Sequence, residues 1–80
     1  MEEINEILNS ILDDRTVPRN IRTKIEEAKA KVSQKSDTQL SEAIYLLDDI
    51  SNDVNMPSHI RTDVWQVISL IEEKKEKMKI

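Results

Sequence analysis

The segment Val17-Pro18-Arg19-Asn20-Ile21-Arg22-Thr23 returns 39 residues later as Met56-Pro57-Ser58-His59-Ile60-Arg61-Thr62. The shared pattern is apolar-Pro-x-x-Ile-Arg-Thr. The same shift also sets Leu8 on Leu47, Ile11 on Ile50 and Asp14 on Asp53. In a chain of 80 residues this leaves room for two copies of one unit. Each copy carries a proline near its middle. Proline has a fixed φ and no amide hydrogen, so it ends the helix before it and suits the first turn of the next. Each unit therefore reads as a helix, a tight turn and a second helix, and two units make four helices.

The apolar spacing agrees with this division. Ile4, Ile7, Leu8, Ile11 and Leu12 recur at i, i+3, i+4, i+7 and i+8, which predicts a first helix over about 3–14. Ile21, Ile25, Ala28 and Val32 predict a second over about 18–34. Leu40, Ala43, Ile44, Leu47, Ile50 and Val54 define a third over about 38–54. Ile60, Val64, Val67, Ile68, Ile71 and Met78 define a fourth over about 58–77. Ser36 and Gln39 have the spacing of a capping box at the start of the third helix. No stretch alternates with period two for long enough to make a strand. The links are short, so successive helices run antiparallel. The expectation is an all-α, four-helix up-and-down bundle built from two similar helical hairpins, forming a single domain over 1–80.

Composition excludes whole classes of function. With no glycine in the chain, neither common phosphate-binding loop, the hydrolase nucleophile elbow nor a calcium-binding EF-hand loop can form. With no cysteine and one histidine, a zinc site lacks its ligands. No apolar run approaches the ~18 residues of a membrane span. Met1 leads into Glu2 and Glu3 rather than into a secretory signal, so a cytoplasmic location is expected, without membrane contact. No residues are assigned to catalysis, to a cofactor, to a metal or to a small-molecule substrate, and the protein is not expected to be an enzyme.

Four short helices, with a Pro-x-x-Ile-Arg-Thr segment entering the second and the fourth, resemble a small uncharacterised family of archaeal proteins. The resemblance spans the whole chain. It implies a compact up-and-down four-helix bundle, loosely grouped with bromodomain-like bundles, and it carries no assigned activity. It implies no bromodomain function, since the chain has neither a long loop between the first two helices nor the ligand-reading asparagine. A weaker similarity to HEAT-type repeats fails on number, because two units are too few for a solenoid.

The net charge of −4 is the remainder of a pattern. Residues 2–14 carry −5, residues 15–35 carry +5, residues 37–53 carry −5 and residues 58–79 carry +1. In an antiparallel bundle each acidic helix then lies beside a more basic one. Such pairs select this helix order more than they stabilise it, since exposed ion pairs contribute only ~0–1 kcal/mol each.

Three sets of side chains are candidates for function. The first is the bundle end where Asp13, Asp14, Asp48, Asp49 and Asp53 are expected to meet Arg19, Arg22, Arg61 and His59. Carboxylates at helix C-termini and arginines near N-termini both oppose the helix dipole. Either a divalent cation or charged partner binds there, or Asp14 and Asp53 cap the following helices while Arg22 and Arg61 grip carboxylates bidentately. Ion-pair networks often mimic sites, which favours the second explanation. His59 reads as a surface residue pairing with Asp63. A Ser58–His59–Asp63 triad lacks a strained turn and oxyanion donors.

The second set is Tyr45, Leu46, Trp65 and Leu70. These lie off the core stripes of the third and fourth helices and can form another apolar face, through which the chain binds a protein partner or a copy of itself. The third is the basic run Arg15, Arg19, Arg22, Lys24, Lys29, Lys31 and Lys35, which supports an alternative in which the protein contacts nucleic-acid phosphate. The acidic flanks and the lack of stacking aromatics on that helix count against it. The favoured reading is an interaction or scaffold module, self-associating or hetero-associating through helices 3 and 4.

Overall fold

The computed structural model describes residues 2–78. It contains four helices: α1 (Glu2–Asp13), α2 (Arg19–Val32), α3 (Asp37–Ser51) and α4 (Ser58–Met78). Successive helices are antiparallel neighbours and α1 closes the ring against α4, giving an up-and-down bundle of two hairpins. The second helix is shorter at both ends than its apolar spacing predicts, and Pro18 sits just outside it as the N-cap, with ψ in the extended region. The third helix ends at Ser51, so Val54 falls in the following turn and is 92% exposed instead of joining the core stripe. Met78, in the last turn of α4, also lies outside the core and is exposed.

The repeat governs the interior. Seventeen apolar residues are buried in one continuous core, and sixteen of them pair off at a shift of 39. Ile4, Leu8, Ile11 and Val17 correspond to Ala43, Leu47, Ile50 and Met56. Ile21, Ile25, Ala28 and Val32 correspond to Ile60, Val64, Val67 and Ile71. Leu40 remains, and its counterpart Met1 lies outside the described residues. Both hairpins thus bury the same positions, with side-chain volume traded between the copies: Ile4 in one for Ala43 in the other, Ala28 for Val67. Close-packed interiors require such compensation.

Helix ends are where a chain without glycine needs another solution. Helices very commonly stop on a glycine in the left-handed region, which satisfies the last carbonyls. Here α1 and α3 stop by means of side chains. Arg22, in the first turn of α2, donates from Nη1 to the Leu12 carbonyl and from Nη2 to the Asp14 carbonyl at 3.1 Å. Arg61 repeats this in α4, donating from Nε to the Ser51 carbonyl at 2.8 Å and from Nη2 to the Asp53 carbonyl at 3.2 Å. The guanidinium groups therefore bind main-chain carbonyls, not the carboxylates expected from the sequence. They sit against the last turn of the preceding helix, whose carbonyls have no intrahelical donors. The dipole mismatch of these two arginines dissolves at the same time, since each positive charge lies at the C-terminus of the preceding helix, where it is favoured.

The turn itself is also repeated. Asp14 Oδ1 accepts the Thr16 amide at 2.8 Å, and Asp53 Oδ1 accepts the Asn55 amide at 2.8 Å. The Val17 and Met56 amides donate to the Asp14 and Asp53 carbonyls at 3.3 and 3.1 Å. These are Asx turns, a conformation short polar side chains provide without glycine. The link between hairpins, from α2 to α3, is built differently. Lys35 takes φ 55, the left-handed region. Ser36 is the N-cap of α3 but its side chain makes no capping hydrogen bond, so the capping box does not form.

Replacing Arg22 or Arg61 by Ala is expected to lower stability by about 1.5–3 kcal/mol each, the range for hydrogen bonds from charged groups. Lysine restores only part of this, because one ammonium lacks the fork that reaches two carbonyls. Urea denaturation midpoints measure both effects. Lys35→Gly is expected to raise stability by about 0.5–1 kcal/mol, since a non-glycine residue in the left-handed region costs about 1–2 kcal/mol and glycine's extra unfolded-state entropy returns part of that.

Candidate functional site

The predicted aspartate end separates into two reciprocal contacts. His59, in the first turn of α4, meets Asp14 Oδ2 of the other hairpin at 2.9 Å through Nε2. Asn20, its counterpart in α2, donates from Nδ2 to Asp53 Oδ2 at 3.4 Å. A pseudo-two-fold axis between the hairpins explains both, since residue 20 reaches 53 as residue 59 reaches 14. His59 therefore pairs with Asp14 rather than with Asp63, because the first turn of α4 packs across the hairpin junction.

The remaining members of the set do not join one cluster. Asp49 faces α2 and accepts Lys24 at 2.5 Å, which holds the lysine above its ordinary pKa. Asp48 points to the α3–α4 side. Asp13 and Arg19 make no side-chain hydrogen bond or ion pair among the described residues. No group of three or more His, Asp or Glu side chains among the described residues stands close enough to hold a metal ion.

The four apolar candidates also part company. Leu46 lies between Glu42, which pairs with Lys31, and Asp49, which pairs with Lys24, so it packs against the core on the α2 side. Leu70 packs beside Ile4 on the α1 side. Both are edges of the core, not parts of a shared outer face. Tyr45 and Trp65 are different. Tyr45 is 78% exposed and Trp65 is 54% exposed. Tyr45 lines a groove of about 380 Å³ between α3 and α4, with Ser41, Ile44 and Asp48 on one wall and Glu72, Lys75 and Glu76 on the other. Trp65 is one heptad before Glu72 and hence on the same face of α4, about 10 Å along the axis.

Hairpin 1 serves as an internal control for this face. The positions of Tyr45, Val54 and Trp65 are held there by Glu6, Arg15 and Glu26, all exposed. The same backbone with the same buried set thus accepts charged residues at all three positions. Packing does not require an aromatic or aliphatic side chain at any of them. Sequence reasoning found Tyr45 and Trp65 by helical-wheel position. It missed the groove residues Ile44, Glu72 and Glu76, and it missed the contrast with Glu6 and Glu26, although the 39-residue alignment contains that signal.

The basic side chains of α2 are largely engaged within the molecule. Lys31 pairs with Glu42 at 2.9 Å, Lys29 donates to Asn9 Oδ1 at 2.5 Å, Lys24 holds Asp49 and Arg22 holds the end of α1.

Asp14 is the carboxylate most altered by this architecture. Hydrogen bonds from the Thr16 hydroxyl at 2.6 Å and the Thr16 amide, followed by the His59 contact, lower its pKa from 3.8 to about 2. Between those values the unfolded chain binds the extra proton, so this contribution is complete above pH ~4 and is lost as pH falls through about 2. Denaturation midpoints are expected to fall over that window. Asp14→Asn is expected to flatten the pH dependence there relative to the unaltered protein.

The family model for UPF0147, described as an uncharacterised protein family, matches residues 1–73. The UPF0147 protein of Methanocaldococcus jannaschii is 44% identical over 72 residues, covering 86% of this chain and 77% of that protein. That of Archaeoglobus fulgidus is 42% identical over 74 residues, covering 90% and 85%. Two crystal structures share the fold. The unknown-function protein MMP1188 has a TM-score of 0.81 at 40% identity, with 89% of this chain and 84% of that one covered. A UPF0147 protein from Thermoplasma acidophilum has a TM-score of 0.83 at 36% identity, with 91% and 89% covered. With the repeat, the bundle and these similarities together, the chain belongs to the uncharacterised family UPF0147.

Proposed function

We propose that this protein is a cytoplasmic interaction module, not an enzyme, and that it contacts a protein partner through the α3–α4 face. One observation carries the reading. At surface positions where hairpin 1 has Glu6 and Glu26, hairpin 2 exposes Tyr45 and Trp65. Aromatic side chains are enriched at the centres of protein interfaces, where they give large contact area at little entropic cost. The grooves are open and shallow, which suits contact with a surface rather than a reaction needing water excluded. Internal engagement of Arg22, Lys24, Lys29 and Lys31 weighs against phosphate binding along α2.

Association also answers a physical need. A single core in a chain this short supplies no more than roughly 3–5 kcal/mol. A partner that binds only the folded state raises apparent stability by mass action.

The test replaces the aromatic pair with what hairpin 1 has. Tyr45→Glu/Trp65→Glu is expected to keep the fold, with an unfolding temperature near that of the unaltered protein. Affinity purification from native extract with chemical cross-linking is expected to lose its partner in this variant. Unchanged capture by the double variant refutes the reading. Light scattering across concentration distinguishes a second copy of the chain from a different partner.

A further inference from the structure

Resting on the interaction reading, we propose that the α3–α4 groove receives a cationic segment of a partner protein, in which arginine or lysine side chains flank an apolar anchor. The groove supplies both halves of such recognition. Ile44 and Tyr45 offer apolar surface, and Asp48, Glu72 and Glu76 stand around it. None of these three carboxylates takes part in an ion pair among the described residues. Four acids elsewhere are matched, Asp49 by Lys24, Glu42 by Lys31, Glu73 by Lys77 and Asp14 by His59, while Glu6, Asp13 and Glu26 share the unpaired state of the groove acids among the described residues. Among the described residues Lys75 is the one basic side chain lining the groove, and its ammonium is turned onto Ser41 Oγ at 2.6 Å.

The internal repeat shows that the charge belongs to hairpin 2 in particular. Asp48 and Glu72 correspond to Asn9 and Ser33 in hairpin 1, both neutral. Where hairpin 1 has Glu6 and Glu26 beside neutral Asn9 and Ser33 and basic Lys29, hairpin 2 has aromatic residues beside Asp48 and Glu72. The bundle needs neither arrangement, and only the second makes a receptor. Arginine matches it best, since its planar fork binds carboxylate bidentately and stacks on an aromatic face. From Trp65 to Glu76 the face runs about 16 Å along α4, the length of about three helical turns or five extended residues. A second copy of the chain fits poorly. A two-fold contact through this face brings two copies of the same acidic patch together, and like charges across an interface disfavour it.

The chain's single tryptophan, one heptad before Glu72 on α4, reports on contacts that extend along this face beyond the groove. The probes are two synthetic helical peptides without Trp or Tyr, sharing one leucine face and differing only in carrying arginine or glutamate on its flanks. The arginine peptide is expected to change Trp65 emission saturably and to shift backbone amide resonances within 41–48 and 65–76. Binding is expected to weaken at least about tenfold in Asp48→Lys/Glu72→Lys and again on raising salt from low to physiological. Equal binding of the glutamate peptide, indifference to the charge reversal or resonance shifts confined to other helices overturns the proposal. Self-association abolished by Trp65→Glu overturns it as well. The partner captured from native extract separates the two levels. Capture lost in Tyr45→Glu/Trp65→Glu but kept in Asp48→Lys/Glu72→Lys removes the cationic segment and leaves the interaction surface. Capture kept in both removes both. All four positions are exposed, and circular dichroism verifies that each variant is folded.

Discussion

Two guanidinium groups close the bundle. Arg22 and Arg61 each sit in the first turn of one helix and bind two carbonyls at the end of the helix before it. Everything about the hairpin geometry follows from that contact. The preceding helix has to stop where its carbonyls can be reached, and the chain has to reverse within a few residues. The proline has to hold the entry angle, and the isoleucine one position before the arginine has to point into the core. The Pro-x-x-Ile-Arg run meets these conditions in both copies. A chain with no glycine lacks the usual residue for a left-handed helix stop, and at these two junctions it uses an arginine and an Asx turn instead.

The second consequence is symmetry. Two units with the same junction bury the same positions, and a pseudo-two-fold axis relates them. The reciprocal reach of Asn20 to Asp53 and His59 to Asp14 ties each junction to the other hairpin. The turn regions of the two hairpins are therefore fastened together at one end of the molecule. At the opposite end the repeat lapses. The α2–α3 link turns on Lys35 in a left-handed conformation, while α4 simply continues past the position where α2 stops.

Much of this was legible in the residues. The helical stripes, the prolines and the period of 39 gave the helix count, the antiparallel order and nearly all of the core. Val54 misled because its spacing extends the stripe of α3. Spacing does not register that a helix has been stopped by an arginine from the next one. The partners of Arg22, Arg61 and His59 were hidden for a related reason. Charge counting pairs arginine with aspartate, whereas the strongest local need was that of unsatisfied carbonyls. Leu46 and Leu70 show the limit of a helical wheel, which places a residue relative to its own helix and cannot say which neighbour covers it. Tyr45 and Trp65 were found correctly as surface aromatics. The 39-residue shift sets Glu6 and Glu26 at their equivalent positions, a contrast that a helical wheel of α3 or α4 alone does not register.

The proposed interaction surface lies where the two hairpins stop being equivalent. The shared positions build the fold, and the differing surface positions gather aromatic and acidic character on one face. In-cell photo-cross-linking tests this most directly, with a photoreactive phenylalanine derivative placed at Tyr45 in one strain and at Glu6 in another. The two sites are equivalent in the fold and differ only in which hairpin carries them. Cross-linking of a discrete partner from position 45 with none from position 6 is the expected result. Equal cross-linking from both positions, or from position 6 alone, contradicts it.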